Sequence, residues 1–460
     1  MLKQKKRLMD LTTGSVTKKL LLFTIPIILS NLLQYLYNAA DRAVVGRFAE
    51  NGKEGLAAIG ATGSAISLLL GLFIGLSIGT NIVCSNMRGA RNTGGMRRSM
   101  HTAMLLAVVV GVALAVGGFF VAKPMLLLMG APADVIDLAT LYMRIYFCGV
   151  PATMIYNFGS AILRAHGDTQ RPMRILALSG MINVVLNLVF VIGFHMSVAG
   201  VAVATAVAQA VSAFRVCWIL FDPKDEYKLT VKELKIHKKQ LMSFIRIGVP
   251  CSLNSMAFSF ANTILQSTVN TWGSDVIAGN VAADSVVTII YQIIAGFYSG
   301  CVSFAGQNYG AQQYRRISKG IRSGILMLSG VTMFLGVICL LFSNQLMGLF
   351  NTDPKVLAEG KPKLWIFASF YWLYGISEVL IGSLRGMKKS MVPTVINLLS
   401  VCGTRLAWIW WIYPLAPSTG MIYVINPISW IISLVSLLSY YLYCRARLIK
   451  RLRAENKAYT

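Results

Sequence analysis

The sequence predicts an all-α polytopic membrane protein with twelve transmembrane helices in two six-helix lobes. Hydrophobic residues make up 56% of the 460 residues and charged residues only 13%, a composition outside the range of soluble domains. A helix needs about 20 apolar residues to cross a bilayer, and such runs recur along the whole chain. The twelve expected spans are residues 20–45, 56–84, 99–122, 136–163, 172–194, 198–221, 241–271, 276–304, 320–343, 364–384, 392–414 and 421–444.

The placement of Lys and Arg supports the same count, because positive charge collects in cytoplasmic loops of membrane proteins. Basic residues concentrate in alternate segments, whereas the intervening loops are poor in them or, as at 353–363, mixed in sign. Both termini are therefore expected in the cytoplasm. The basic segments are Lys3 to Lys19, Arg88 to Arg98, Arg164 to Arg174, Lys224 to Lys239, Arg315 to Arg322, Arg385 to Lys389 and Arg445 to Lys457.

The net charge of +26 is spread over these short segments. We expect it to set topology and to contact anionic lipid headgroups, and we expect no nucleic-acid binding. The eight cysteines lie within or at the edges of spans, without Cys-x-x-Cys spacing or histidine clusters. We therefore expect free thiols, no disulfide framework, no metal site and no cofactor.

The second half of the chain repeats the first at a shift of 221 residues, as shown by Arg164 with Arg385 and Gly89 with Gly310. Because each half has an even number of helices, both copies should have the same orientation in the membrane. The halves should therefore be related by a pseudo-two-fold axis along the membrane normal. The expected organisation is a monomer with an N-lobe at 1–221, a cytoplasmic linker at 222–240, a C-lobe at 241–445 and a basic cytoplasmic tail at 446–460.

A carboxylate, Asp41, lies within the first hydrophobic segment. Ionisable groups at membrane depth are costly and usually face a cavity, where they work on protons, ions or substrates. Asp41 therefore predicts a transporter. The alternative is a structural acid paired with a cation such as Arg42, but adjacent helix positions point about 100° apart, so Arg42 is expected to face elsewhere.

Four motifs carry a family resemblance. The segment 38–47 reads NAADRAVVGR, 161–172 reads AILRAHGDTQRP, 306–311 reads GQNYGA and 384–386 reads LRG. With these motifs and the internal repeat, the chain resembles the multidrug and toxic compound extrusion (MATE) family from its first helix to its twelfth. Within that family it looks most like bacterial members close to the DinF-like branch, which implies a protein integral to the bacterial cytoplasmic (plasma) membrane.

The resemblance implies a secondary antiporter that exports organic, cationic and amphipathic compounds by rocker-switch alternating access, driven by inward flow of H⁺ or Na⁺. In DinF-like members a helix 1 aspartate joins two residues on helix 5 and a threonine on helix 6 in a cation site. The matching positions here are Asp41, Asn183, Asn187 and Thr205. Asn187 stands where the family most often has aspartate, and losing one hard, charged ligand weakens Na⁺ more than H⁺. H⁺ is therefore the expected coupling ion, with Na⁺ as the alternative.

The sequence alone leaves other interpretations of these residues open. Asn183 and Asn187 lie on one helix face and also fit interhelical hydrogen bonding. Thr205 also fits a bond to its own backbone. Further polar residues of the spans are candidates for substrate binding: Gln34, Tyr37, Asn38, Asn157, Asn254, Gln266 and Gln292.

The second half holds its own intramembrane charges, Asp284, Glu378 and Arg405. Glu378 and Arg405 are expected either to form a buried ion pair or to leave Glu378 as a substrate carboxylate or second proton site. Pro26 and Pro250 each remove a helix hydrogen bond and are expected to act as hinges.

The alternative function is a lipid-linked saccharide flippase of the same superfamily. Such proteins commonly have more helices or a strongly basic cavity, whereas the interior cations here are few. An enzyme is not expected, because the four histidines lie at span edges or in loops and form no constellation with a nucleophile or metal ligand. The expected partners are membrane lipids and small organic cations or amphipathic drugs.

Overall fold

Twelve helices in the described part of the chain are long and apolar enough to cross a membrane, as the sequence predicts. The computed structural model of the protein describes residues 8–49, 52–130, 132–222 and 228–457, and within these ranges it contains helices and turns but no strands. The predicted basic residues Lys3 and Lys224 lie outside the described ranges.

The first six spans are α1 (Val16–Phe48), α2 (Gly52–Gly89), α3 (Thr93–Leu128), α4 (Ile136–Ala165), α5 (Gln170–Gly193) and α6 (Ser197–Leu220). The second six are α7 (Lys238–Asn270), α8 (Ser274–Gly310), α9 (Tyr314–Leu341), α10 (Pro354–Gly386), α11 (Met391–Leu415) and α12 (Thr419–Lys457). Short helices occupy Val231–Glu233 and Ser343–Gly348, and π-helical turns interrupt α5 at Val189–Gly193 and α11 at Leu398–Gly403 and Trp408–Ile412.

Helix α10 begins ten residues before the span predicted at 364–384. Asp353 caps it, because its Oδ1 accepts a hydrogen bond of 2.9 Å from the backbone N–H of Lys355. Pro354 then occupies the first turn, where its missing N–H costs nothing. The charged segment that the sequence placed in an outer loop therefore continues the helix, and Lys363 is a buried helix residue.

The internal repeat extends to the ends of the helices and to the turns between them. Helices α2 and α8 end at Gly89 and Gly310, which are 221 residues apart, and α4 and α10 end at Ala165 and Gly386 with the same separation. A left-handed backbone also recurs at this spacing, at Arg91 with Gln312 and at Gly167 with Lys388. The two halves of the chain thus specify the same helix ends.

The chain forms two compact units whose limits differ from the predicted lobes. The first contains residues 1–253 and 306–314, and the second contains residues 254–305 and 315–460. The boundaries therefore fall inside α7, near the end of α8 and at the start of α9, whereas the sequence placed one boundary in the linker at 222–240.

Close backbone contacts explain why the start of α7 and the end of α8 belong to the first unit. A Cβ on Gly79 would lie 2.8 Å from the carbonyl oxygen of Phe244, and one on Gly89 would lie 1.8 Å from that of Gln307. Gln307 also donates to the carbonyl of Ala165 at 2.9 Å and accepts from the N–H of Leu11 at 3.1 Å. The end of α8 cannot leave the first unit without losing these buried hydrogen bonds to Ala165 and Leu11.

Candidate functional site

Helices α1, α5 and α6 bring four predicted residues together inside the first unit. Asp41 lies on α1 and is 7% exposed. Asn183 and Asn187 are four residues apart on α5, so they share one helix face, and Thr205 lies on α6. All three of these partners are buried. These four residues form one buried polar cluster, which we call the Asp41 cluster.

Hydrogen bonds connect all members of the Asp41 cluster. The amide nitrogen of Asn187 donates to Asp41 Oδ1 at 2.5 Å and to Asn183 Oδ1 at 3.2 Å. The hydroxyl of Thr205 donates to Asp41 Oδ2 at 3.4 Å and accepts from the amide of Asn183 at 3.2 Å. Both carboxylate oxygens thus receive a neutral donor, which stabilises an ionised carboxylate in a buried site.

The Asp41 cluster keeps one buried acceptor without a partner, the amide oxygen of Asn187. Buried polar atoms are nearly always hydrogen-bonded, and exceptions often mark a functional position. Asn187 is fully buried and is itself bonded to Asp41 through its nitrogen. This oxygen could therefore accept a hydrogen bond from a protonated carboxyl group or act as a ligand to a bound cation.

Arg42 does not pair with the cluster. Its side chain is exposed, and its Nε donates to the backbone carbonyl of Asn38 at 3.3 Å. The structure thus favours the interpretation in which Arg42 faces away from Asp41.

The other N-lobe candidates are only partly brought together. Tyr37 is buried and accepts a hydrogen bond of 3.4 Å from Gln209, a residue that the sequence analysis missed although it lies one helical turn from Thr205. Gln34 and Asn38 are exposed, and the amide of Asn157 donates to the carbonyl of Thr153 in its own helix at 3.0 Å.

A cavity of about 570 Å³ lies within the second unit, which is within the usual size range of ligand pockets. We call it the second-unit cavity. Four predicted residues line it: Asp284, Gln266, Gln292 and Arg405. Asn254 and Glu378 are not among its lining residues, and Asn254 instead accepts from the amide of Asn397 at 2.8 Å.

The predicted ion pair between Glu378 and Arg405 is wrong. The guanidinium of Arg405 donates to Asn262 at 2.7 Å and lies 5.1 Å from the ring centre of Phe258. Glu378 interacts instead with Tyr374 and with Arg385 of its own helix. Matching two opposite charges in the sequence could not reveal that a neutral amide on α7 is the partner of Arg405.

The ion pair of the second-unit cavity joins Asp284 to Lys363. Lys363 also donates to the amide oxygen of Asn280 at 2.8 Å. Lys363 was not among the predicted site residues, because the sequence pattern placed it in a loop.

The MatE family model matches residues 26–189 and 250–411 of the chain, one match in each half. The chain belongs to the MatE family. It is therefore a transporter and not an enzyme, and it is integral to the membrane. Membership of the DinF-like branch stays a prediction.

Relatives and solved MATE structures resemble nearly the whole chain. It is 28% identical to the probable multidrug resistance protein YoeA of Bacillus subtilis over 93% of this chain and 94% of that protein. It is 24% identical to the probable multidrug resistance protein NorM of Thermotoga maritima over 85% of this chain and 84% of that protein. A solved MATE transporter in an outward-facing conformation superposes with a TM-score of 0.86 at 22% identity, covering 96% of this chain and 97% of that one.

Both predicted hinge prolines lie inside continuous helices of this MATE protein. Helix α1 runs through Pro26, and the hydroxyl of Ser30 donates to the carbonyl of Pro26 at 2.8 Å. Helix α7 runs through Pro250. Each proline lacks the N–H that would bond the preceding turn, so both helices have a weaker point there without ending.

Proposed function

We propose that this MATE protein exports amphipathic organic compounds in exchange for protons, and that Asp41 carries the coupling proton. The Asp41 cluster is the observation that supports this assignment most directly. It provides a buried carboxylate, neutral donors to both of its oxygens and one acceptor without a partner.

The proton step follows from the charge of the cluster. An ionised carboxylate in a membrane-spanning helix is costly, and protonation removes that cost. The described neighbours of Asp41 within hydrogen-bond distance are the neutral residues Asn187 and Thr205. Protonation would leave the cluster neutral and give Asp41 a hydroxyl donor. Rotation of the Asn187 amide would let its free oxygen accept that donor.

Sodium is the alternative coupling ion. The amide oxygens of Asn183 and Asn187, the hydroxyl of Thr205 and the carboxylate of Asp41 are all oxygen ligands of the kind that hard cations prefer. The cluster directs amide nitrogens towards its oxygens and contains a single carboxylate. This arrangement favours the proton over Na⁺.

Transport would proceed by alternating access of the two lobes. Pro26 lies on the same helix as Asp41, so we propose that a proton-dependent change in the Asp41 cluster bends α1 near Pro26. The second hinge would be Pro250 in α7. We further propose that the protein acts as a monomer in contact with membrane lipids, with both termini in the cytoplasm.

The relatives named multidrug resistance proteins support a broad range of organic substrates. The sequence led us to expect cations among them, and that expectation rests on the family resemblance. Lipid-linked saccharides remain the alternative substrate class.

The test uses proteoliposomes and two dyes that share a tetraethylrhodamine core, cationic rhodamine B ethyl ester and anionic sulforhodamine B. Dye movement is measured under an imposed pH gradient and, separately, an imposed Na⁺ gradient. We expect the pH gradient to drive transport of at least one dye by the native protein. Asp41→Asn should reduce that transport to the level of protein-free vesicles.

The matched control is Asp137→Asn, which makes the same change at an exposed carboxylate bonded to Lys123 at 3.1 Å. Surface pairs of this kind contribute little to stability, so this variant should transport normally. Sodium-driven transport that survives Asp41→Asn would contradict the proposal and move the coupling site to Asp284 or Glu378. Transport of neither dye under either gradient would favour lipid-linked substrates.

A further inference from the structure

Arg405 is a buried cation of the second-unit cavity, and it has no carboxylate partner among the residues that the structure describes. It is 2% exposed, and its hydrogen-bond partner, Asn262, is neutral. The other cation, Lys363, is matched by Asp284. Two cations and one carboxylate therefore line the cavity, which leaves it with one excess positive charge. A buried charge of this kind is expensive unless something else compensates it.

Three polar atoms of the described lining are also unpartnered. The Nε–H of Arg405, the indole N–H of Trp430 and the hydroxyl of Tyr423 are buried without a hydrogen-bond partner. The guanidinium and indole N–H groups can only donate, whereas the tyrosine hydroxyl can also accept. A buried donor that is left unsatisfied is destabilising. Trp430 is 2% exposed and lines the same cavity. The N–H groups of Arg405 and Trp430 thus lack an acceptor, which an anionic ligand would provide.

Aromatic rings form a continuous part of the cavity wall. Tyr371 and Tyr374 stack with ring centres 5.4 Å apart, and Trp430 lies 5.2 Å from Tyr371. Phe258 stacks on Tyr374 at 6.5 Å and also faces the guanidinium of Arg405. A planar aromatic ligand can pack on such rings in an offset or edge-to-face arrangement, with its polar end near Arg405.

The backbone around Arg405 is irregular. The short α-helical stretch Thr404–Ala407 carries it between the π-helical turns Leu398–Gly403 and Trp408–Ile412. Single π-helical turns inside α-helices occur frequently at functional sites. The helix is therefore irregular on both sides of the uncompensated cation.

We infer that the second-unit cavity binds an aromatic organic anion, with its carboxylate, sulfonate or phosphate group on Arg405 and its ring against the aromatic wall. The anion would neutralise the excess charge and supply an acceptor to the unpartnered Nε–H. A bidentate contact to a guanidinium is among the stronger charge-assisted hydrogen bonds. This assignment rests on the proposed export function only in treating the bound molecule as a transported substrate. It reverses the substrate charge expected from the sequence.

The test measures binding of the same two rhodamine dyes to the purified full-length protein by fluorescence anisotropy at one pH, with no gradient. Sulforhodamine B should bind the native protein at least tenfold more tightly than rhodamine B ethyl ester. Replacing Arg405 with Gln should weaken sulforhodamine B binding roughly tenfold to hundredfold, the range for a hydrogen bond to a charged group. Arg405→Lys should retain an intermediate affinity because it keeps the charge but not the planar fork.

Arg215→Gln is the matched control, because Arg215 is an exposed cation of α6 outside this cavity. It should bind both dyes like the native protein. Equal or tighter binding of the cationic dye by the native protein would overturn the inference, and this comparison needs no variant to fold. Anion binding that is unaffected by Arg405→Gln in a folded variant would also overturn it. Because no proton gradient is present, these outcomes are separate from failure of coupling at Asp41.

Discussion

At the scale of single residues, Asn187 determines how the Asp41 cluster handles charge. Its side chain occupies a position that bonds directly to Asp41, and it contributes an amide where a second carboxylate would double the negative charge. Two carboxylates at this distance could not both ionise without a cation between them. The amide removes that requirement, so a proton alone can balance the site.

Asn187→Asp should make transport by this protein responsive to Na⁺. The variant restores a second charged oxygen ligand beside Asp41, and hard cations prefer such ligands. We expect Na⁺ to stimulate dye transport by the variant at alkaline pH, where protons are scarce, and to leave the native protein unaffected. The measurement is initial transport rate against Na⁺ concentration in proteoliposomes.

Asn92→Asp is the control for this substitution. Asn92 caps α3 through a bond of 2.7 Å from the N–H of Gly95, and aspartate caps helices as well as asparagine does. This variant should show no Na⁺ response. A native protein that is already stimulated by Na⁺ would contradict our reading of Asn187.

His166, in the turn between α4 and α5, makes stability depend on pH. Burial, together with Arg88 and Arg171, lowers the pKa of His166 to about 3, whereas an unfolded chain has a histidine pKa near 6.5. As the pH falls below about 6.5, His166 therefore binds a proton in the unfolded state but not in the folded state. Neutral His166 thus lowers the free energy of unfolding progressively between about pH 6.5 and pH 3, and it has no such effect above pH 6.5.

Acidification should therefore destabilise the native protein more than a His166→Gln variant. The expected difference is about 1.4 kcal/mol per pH unit below 6.5. Thermal unfolding of the detergent-purified proteins at pH 7.5 and pH 5.5 would measure it. Equal losses of melting temperature in both proteins would show that His166 accepts its proton in the folded state.

At the scale of helices, the repeated ends of α2 and α8 are in close backbone contact within the first unit. A Cβ on Gly310 would lie 2.0 Å from the carbonyl oxygen of Asn86, and one on Gly89 would lie 1.8 Å from that of Gln307. The sequence revealed these glycines as a repeated pair. It could not reveal that the two copies contact each other's helices, because the contact depends on the packing of segments more than 200 residues apart.

Gly89→Ala should destabilise the protein substantially. The added methyl group would collide with a backbone carbonyl, which cannot rotate away, and overpacking of this kind typically costs about 1–3 kcal/mol or more. Gly117→Ala is the control, since a Cβ there would meet nothing within 4 Å. Melting temperature in detergent should fall for Gly89→Ala and stay unchanged for Gly117→Ala. Equal melting temperatures would contradict this close packing.

Helix existence was predictable from sequence, but the start of α10 and its consequences were not. Twelve apolar runs predicted all twelve spans. Hydropathy placed Lys363 outside the membrane segment, whereas the cap at Asp353 extends the helix past it. The family resemblance correctly placed Asp41 and Asn187 in one site. It could not pair Lys363 with Asp284, or Arg405 with Asn262, because these partners depend on how separate helices pack.

At the scale of the whole molecule, the two compact units carry different chemistry. The first contains the Asp41 cluster, in which a single acid is surrounded by neutral groups. The second contains a cavity with an excess cation and an aromatic wall. If both proposals hold, proton binding and substrate binding occupy separate units. Coupling would then depend on the conformational change and not on competition of the two ligands for one carboxylate.

The alternating distribution of basic residues makes a prediction about the orientation of the whole chain. Arg315 to Arg322 follow α8 and are expected in the cytoplasm, whereas the loop between α11 and α12 lacks Lys and Arg and is expected outside. Gln313 and Ala416 are exposed residues at these two positions. In a background without the eight natural cysteines, Ala416→Cys should react with a membrane-impermeant maleimide in intact cells. Gln313→Cys should react only after permeabilisation, and the reverse pattern would invert the topology and place both termini outside.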